Sequence, residues 1–284
     1  MTLYTIETGN FKLDGGAMFG VVPKVLWEKT NPADSKNRID MSSRCLLIED
    51  GKKLILIDSG LGDKQNDKFF SHYSRSGSAS LEGSLKSKGF NTKDVTDVFF
   101  THLHFDHCGG ATKRVGDKIL PVFENAKYWC SKAHWDWASI SPNPREKASF
   151  LEENLTPIKE SGQLNLYDSV YNGYCEDLNF DIVFVDGHTE KMALPKINYK
   201  GKSILFASDL VPTAGHIPVP YLMGYDVRPL VTMEEKYLIL KNAVSDNTFL
   251  FLQHDPNKEL VVLKQTEKGV RLDQSSSIMD TFGS

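Results

Sequence analysis

Residues 102 to 107 read His102-Leu103-His104-Phe105-Asp106-His107, placing four metal-capable side chains within six positions. The cluster follows Val98-Phe99-Phe100, an apolar run that reads as a buried strand. A strand that ends in such a cluster fixes several donors on one rigid edge, where they can hold an ion and leave coordination positions open. Imidazole with carboxylate suits zinc, iron, cobalt, nickel or manganese better than calcium or magnesium. The chain has only 8 histidines in 284 residues, so three of them here are not a chance polar loop.

Three further apolar runs end in a candidate ligand. Ile182 to Val185 leads to Asp186-Gly187-His188, Ile204 to Ala207 to Ser208-Asp209, and Phe249 to Leu252 to Gln253-His254. Taken singly, each is an ordinary capped strand end. Their shared placement raises the metal reading. Asp58, closing the run Leu54 to Ile57, either orients a ligand histidine or bonds backbone amides of the following turn. Cys108, beside His107 with no second thiol nearby, reads as a small residue filling space beneath the site.

The rest of the chain supplies a frame. Leu3 to Thr8 alternates like a strand that Phe11 to Leu13 extends or pairs with, and Asp14 to Gly20 reads as a glycine-rich loop. Residues 43 to 60 read as a hairpin, residues 71 to 80 as a mobile surface loop, and Leu81 to Gly89 as a short helix. Gly109-Gly110 permits a tight turn or a close backbone approach. Strand structure is expected over 119 to 130 and a helix interrupted near Pro157 over 148 to 160. A hairpin turns at Lys200-Gly201-Lys202. Met233, Tyr237, Leu240 and Val244 recur on one face of a helix near 232 to 244. His134-Trp135-Asp136-Trp137 reads as a packed aromatic turn, and the serine-rich tail from about 273 to 284 as frayed. With no repeat and no long linker, residues 1 to 284 are expected to form one domain. Its N-terminal loop, about 9 to 40, is expected near the active site.

A formal charge of -4 with 25% charged residues lacks the basic balance of a nucleic-acid binder, and no apolar run is long enough to span a bilayer. The scattered Cys45, Cys108, Cys130 and Cys175 point to free thiols in a reducing compartment. Together with an amino terminus unlike a signal peptide, they lead us to expect a cytoplasmic protein without nucleic-acid or membrane partners.

The motif H-x-H-x-D-H, followed by a distant His, an Asp and a final His at strand ends, resembles the metallo-β-lactamase superfamily over about residues 40 to 260. The resemblance implies an α/β fold, an αββα sandwich of two mixed sheets packed face to face with helices outside. It implies that His102, His104 and His188 hold one metal, that Asp106, His107 and His254 hold a second, and that Asp209 bridges both. The cofactors implied are two divalent ions, zinc foremost, with iron, cobalt or manganese as alternatives. They would share a hydroxide that attacks the substrate, with Asp106 as the catalytic residue carrying the proton to the leaving group.

Dedicated β-lactamases of the superfamily place Cys where this chain has Asp209. Flavodiiron enzymes place Glu where His104 stands, and persulfide dioxygenases lack part of the second ligand set. The stretches DGGAMFGVVPK and THLHFDHCGG are similar to the N-acyl homoserine lactonase and methyl parathion hydrolase branch. That implies a quorum-quenching lactonase acting on a small-molecule lactone or ester, with a homodimer suggested by the branch. Met18, Phe19, Trp27, Phe105 and Met223 become candidates for an acyl pocket, though core packing is the simpler role for each. The alternatives are an arylesterase or organophosphate hydrolase, a thioesterase of the glyoxalase II kind, and a non-catalytic metal-binding module. Two departures stand out. The branch's G-H-T-P-G is here Gly187-His188-Thr189-Glu190-Lys191, and its tyrosine three residues after the bridging Asp is here Pro212. Tyr221 or Tyr225 could supply a hydroxyl instead.

Overall fold

The computed structural model describes residues 1–169 and 172–283. In chain order the first half runs β1 (Thr2–Asp14), α1 (Gly15–Phe19), α2 (Lys24–Trp27), β2 (Arg38–Asp50), β3 (Lys53–Ile57), α3 (Asp67–Tyr73), α4 (Leu81–Ser87) and β4 (Asp97–Phe99). Then come α5 (Phe105–Cys108), β5 (Thr112–Val115), β6 (Lys118–Pro121), β7 (Lys127–Ser131), α6 (Lys132–Ser139), α7 (Glu152–Glu160) and β8 (Leu164–Tyr167). The second half runs β9 (Gly173–Cys175), β10 (Phe180–Val185), β11 (Met192–Tyr199), β12 (Lys202–Phe206), α8 (Pro229–Ser245), β13 (Phe249–Phe251), β14 (Leu260–Thr266), β15 (Gly269–Ser276) and α9 (Ile278–Phe282).

These elements form two compact units, one of residues 1–9 and 43–171, the other of residues 10–42 and 172–283. The boundary falls inside both β1 and β2. The first unit is built on a mixed sheet ordered β1-β2-β3-β4-β7-β8, with β5 and β6 as a separate hairpin. There β4 lies parallel between β3 and β7, in a register that sets Ile57 opposite Phe99. The two strands therefore end together, and the residues that follow them, Asp58 and Phe100-Thr101, emerge side by side. Ile6, Leu47, Leu56, Val98, Phe100 and Tyr128 belong to the core of this unit.

The second unit carries a mixed sheet ordered β15-β14-β13-β12-β11-β10-β9. Its one parallel pair, β12 with β13, sets Phe206 opposite Phe251. β10 runs antiparallel to β11, and β11 antiparallel to β12. So β10, β12 and β13 all point one way, and their carboxyl ends share an edge. Leu194, Leu205, Leu250, Leu252 and Val261 pack at its core, with Leu240 of α8 against them. No helix among the described residues is long and apolar enough to cross a membrane.

Several local expectations change. Asp14 to Gly20 is a helical turn rather than a loop, because the Asp14 carboxylate accepts the Ala17 amide at 2.8 Å and caps it. The segment read as a mobile loop from 71 begins inside α3, capped by Asn66. The run 119 to 130 holds the ends of two strands with a turn between them. The tail from 273 carries regular structure, since β15 pairs with β14 and Ser277 caps α9 (Ile278–Phe282). On α8 the buried face is Thr232, Lys236, Leu240 and Ala243, whereas Tyr237 is 51% exposed. A lysine on that face breaks the apolar periodicity and shifts the stripe that the sequence suggests.

Candidate functional site

In the first unit, β4 delivers Thr101 to His104 as extended chain, and His104 starts the short helix α5 that carries Asp106 and His107. Asp58 organises this loop. Its Oδ1 accepts the Thr101 amide at 2.8 Å, and its Oδ2 accepts the Thr101 hydroxyl at 2.8 Å and meets His107 Nδ1 at 2.9 Å. It holds the His107 ring, and the amide it accepts belongs to Thr101 rather than to the turn after Asp58. The Leu103 amide donates to His134 Nε2 at 2.9 Å, so His134 steadies the loop rather than simply packing.

His102 Nε2 and His104 Nδ1 approach to 3.1 Å, while the far nitrogens are tied back. His102 Nδ1 meets the Thr101 hydroxyl at 3.1 Å, and His104 Nε2 meets Glu146 at 3.2 Å. Glu146, 2% exposed, also accepts from Trp137 Nε1 at 2.8 Å and Asn143 Nδ2 at 2.6 Å. His107 Nε2 lies 3.9 Å from Asp106. Beneath them Cys108 is fully buried with its thiol on the Leu103 carbonyl, and burial pushes that thiol up to about 12. It fills space, as expected.

Gly110 accounts for the glycine pair after the cluster. A Cβ there would lie 2.0 Å from the Ser59 carbonyl, so the chain can pass the end of β3 only without a side chain.

In the second unit three predicted donors converge. Asp209, in a turn after β12, turns one carboxylate oxygen to His188 Nε2 and the other to His254 Nε2, each at 3.2 Å. The outer nitrogens are again held: His188 Nδ1 by Asp226 at 2.9 Å and His254 Nδ1 by the Ser42 carbonyl at 2.8 Å. Burial alone would lower the His188 pKa, but the Asp209 and Asp226 carboxylates outweigh it and raise it to about 10. This pocket favours positive charge.

Gly187 is needed because a Cβ would sit 2.3 Å from the Thr232 amide nitrogen of α8. Glu235, one turn further along α8, accepts the Asp186 and Gly187 amides at 2.7 and 3.0 Å. Where the branch has proline and glycine, Glu190 bonds Arg228 at 2.7 Å and Lys191 takes up a left-handed φ of 49°. Lys191 thus keeps a glycine-like turn and anchors it through Nζ on Asp186 at 2.7 Å.

All seven predicted ligands are buried. Their inward atoms are imidazole nitrogens and carboxylate oxygens, with the other ring nitrogen fixed by an outer partner, and this donor chemistry fits divalent metal. Glu146 and Asp226 are the partners that sequence reasoning misses, since a lone acid in a loop carries no spacing signal.

The candidate acyl-pocket residues Met18, Phe19 and Trp27 are essentially inaccessible. Phe19 is stacked between Trp27, at 5.2 Å, and His216, at 4.2 Å. Met223 is 5% exposed, and Phe105 packs against Phe69 and Tyr73. The Tyr221 ring meets Phe19 edge-on, and Tyr225 is 39% exposed. Pro212 supplies its carbonyl to the His254 amide at 3.2 Å.

The family model of the metallo-beta-lactamase superfamily matches residues 38–254. The chain belongs to that superfamily. It is accordingly a metal-dependent hydrolase with the α/β fold of two mixed sheets and flanking helices expected from its motifs. A probable metallo-hydrolase of Mycobacterium tuberculosis is 23% identical over 236 residues, 76% of this chain and 72% of that protein. Among solved structures, a probable metal-dependent hydrolase from Staphylococcus aureus is similar at a TM-score of 0.86 with 27% identity, covering 96% of this chain and 95% of that one. AidC, a dizinc quorum-quenching lactonase solved with N-hexanoyl-L-homoserine, is similar in fold at a TM-score of 0.76 with 24% identity, covering 96% and 94%.

Proposed function

We propose that this superfamily hydrolase is a dinuclear lactonase that opens N-acyl homoserine lactone-type rings. In this reading His102, His104 and His188 hold one divalent ion, Asp106, His107 and His254 hold the second, and Asp209 bridges them. The observation that carries it is the Asp209 carboxylate, which offers one oxygen to each of two buried imidazoles at the same 3.2 Å. A carboxylate serving two donor sets at once is suited to two ions rather than one. Zinc matches the imidazole and carboxylate donors and is the ion named for the similar dizinc lactonase.

Bound divalent ions supply Lewis acidity and bring the pKa of water to about 7. The protein's own groups do the rest. Asp58, Asp226 and the Ser42 carbonyl hold Nδ1 of His107, His188 and His254, so each Nε2 keeps its lone pair directed inward. Asp106, 8% exposed, is the carboxylate placed to take a proton and return it to the alkoxide leaving from the opened ring.

A second reading, an arylesterase or phosphotriester hydrolase, is favoured by Pro212, which has no hydroxyl to offer a lactone oxygen. One panel separates the two. Purified protein with measured metal content is assayed on acyl homoserine lactones, aryl esters and phosphotriesters. The lactonase reading expects the highest kcat/KM on lactones and loss of turnover in Asp106→Asn. Faster turnover of phosphotriesters than of any lactone overturns it.

A further inference from the structure

Lys236 lies in the middle of α8 with no exposed surface, although an ammonium is among the costliest groups to bury. Its Nζ donates to the Tyr221 carbonyl at 2.7 Å. Burial pulls its pKa down to about 7, with Asp226 pulling the other way. A methionine or leucine would fill the same space without that penalty, so the charge or the hydrogen bond has a use.

Tyr221 opens the loop that leads to Asp226. Within that loop the Met223 amide donates to Asp226 Oδ2 at 3.2 Å, closing a tight turn. The other oxygen, Asp226 Oδ1, meets His188 Nδ1 at 2.9 Å. Beyond Asp226, the Val227 and Arg228 amides return to the carbonyls of His188 and Gly187 at 3.2 and 2.8 Å. Glu235, the residue before Lys236, holds the Asp186 and Gly187 amides. Adjacent residues of one helix therefore grip the two chain segments that must meet at His188, one by an anion and the other by a cation.

We infer that Lys236 is a positioning residue for His188: its ammonium pins the Tyr221 carbonyl and fixes the turn that presents Asp226 to the imidazole. The inference rests on the reading of His188 as a metal ligand. The charged or titratable groups acting on the ammonium are Asp226, which attracts it, and His216, which burial keeps neutral with a pKa of about 3. Lys236 touches neither substrate nor metal in this arrangement. It acts through Asp226.

The test uses the full chain with Lys236→Met, Lys236→Gln, Asp226→Asn, His188→Ala and Leu240→Ala. Leu240 lies on the same buried helix face and serves as a control for simple destabilisation. Zinc affinity is measured by competition with a chelator, and the absorption spectrum of the cobalt-loaded protein reports ligand geometry. Lys236→Met is expected to weaken one of the two metals by about tenfold or more and to shift the cobalt bands. Adding it to Asp226→Asn should cause little further loss, because both changes act through one contact. Leu240→Ala should lower the melting temperature and leave affinity and spectrum alone. Should Lys236→Met not fold, Lys236→Leu, which also removes the donor, takes its place in every comparison, while Lys236→Gln, which keeps a donor, is expected to recover part of the affinity.

If His188→Ala loses a metal while Lys236→Met, or Lys236→Leu in its place, binds zinc and cobalt like wild type, the inference is overturned and the ligand reading stands. If His188→Ala keeps both metals, the ligand reading fails and the inference fails with it.

Discussion

Asp58 Oδ2 meets His107 Nδ1 at 2.9 Å while its other oxygen holds the Thr101 amide, so one buried carboxylate fixes both ends of the His102–His107 loop. An asparagine can still accept from Thr101, but it brings no charge to the imidazole. Asp58→Asn is therefore expected to leave the fold recognisable by circular dichroism and to weaken metal binding by about 10- to 100-fold. Metal content after dialysis against a weak chelator checks this. Full retention of metal would show that His107 needs no anionic partner.

Gly110 makes a stability prediction independent of metal. A methyl at this position meets the Ser59 carbonyl, a backbone atom that cannot rotate away. Gly110→Ala is expected to cost about 1–3 kcal/mol, as for other overpacked interiors. Urea unfolding of the metal-free protein reads it directly. Glycines whose added Cβ would meet nothing, such as Gly116, are not expected to lose stability by crowding.

The loops that carry the proposed ligands are legible because their chemistry is concentrated. Three histidines and an aspartate in six residues stand out against any background, and His188, Asp209 and His254 each follow an apolar run that reads as a buried strand. Asp58 was readable for the same reason. Glu146 and Asp226 were not, because each reaches its histidine only through the path of an irregular loop. The buried face of α8 misled for a physical reason, since Lys236 occupies a position that periodicity reserves for an apolar side chain. The β14–β15 hairpin is not legible in the sequence because Lys264, Gln265, Arg271 and Gln274 give it little hydrophobic signal.

His216 should leave a signature in the acid limb of the stability curve. Burial holds its pKa near 3, with Nε2 on the Met18 carbonyl at 2.8 Å and Nδ1 on the Thr213 hydroxyl at 2.8 Å. An unfolded histidine titrates near 6.5, so between about pH 6.5 and 3 the unfolded chain binds one more proton than the folded one. Stability must then fall as pH drops through that window. His216→Phe is expected to be less stable at pH 7 because two polar partners are left behind. Its stability should nevertheless decline less steeply, by up to about 1.4 kcal/mol per pH unit. Parallel slopes for wild type and variant from pH 6 to 4 would contradict the assignment of His216 as a buried neutral ring.

Metal removal should destabilise the whole chain, because the donors that would lose their ions are buried at the ends of β4, β10, β12 and β13. Without cations, the buried Asp106 and Asp209 carboxylates lie against the imidazoles of His107, His188 and His254 with no divalent charge to balance them. Binding that is confined to the folded state adds RT ln(1 + [L]/Kd), or about 2.7 kcal/mol per site when free metal stands at a hundred times Kd. For a chain of this size that amounts to a rise of about 4–5 °C per site in melting temperature. Exhaustive chelation is expected to lower the melting temperature by that order, and zinc, cobalt or manganese to restore it, whereas magnesium should not. Titrating zinc into the stripped protein should restore stability until two ions are bound. Saturation at a single ion would remove the bridging role proposed for Asp209, because its second oxygen would then serve only a histidine.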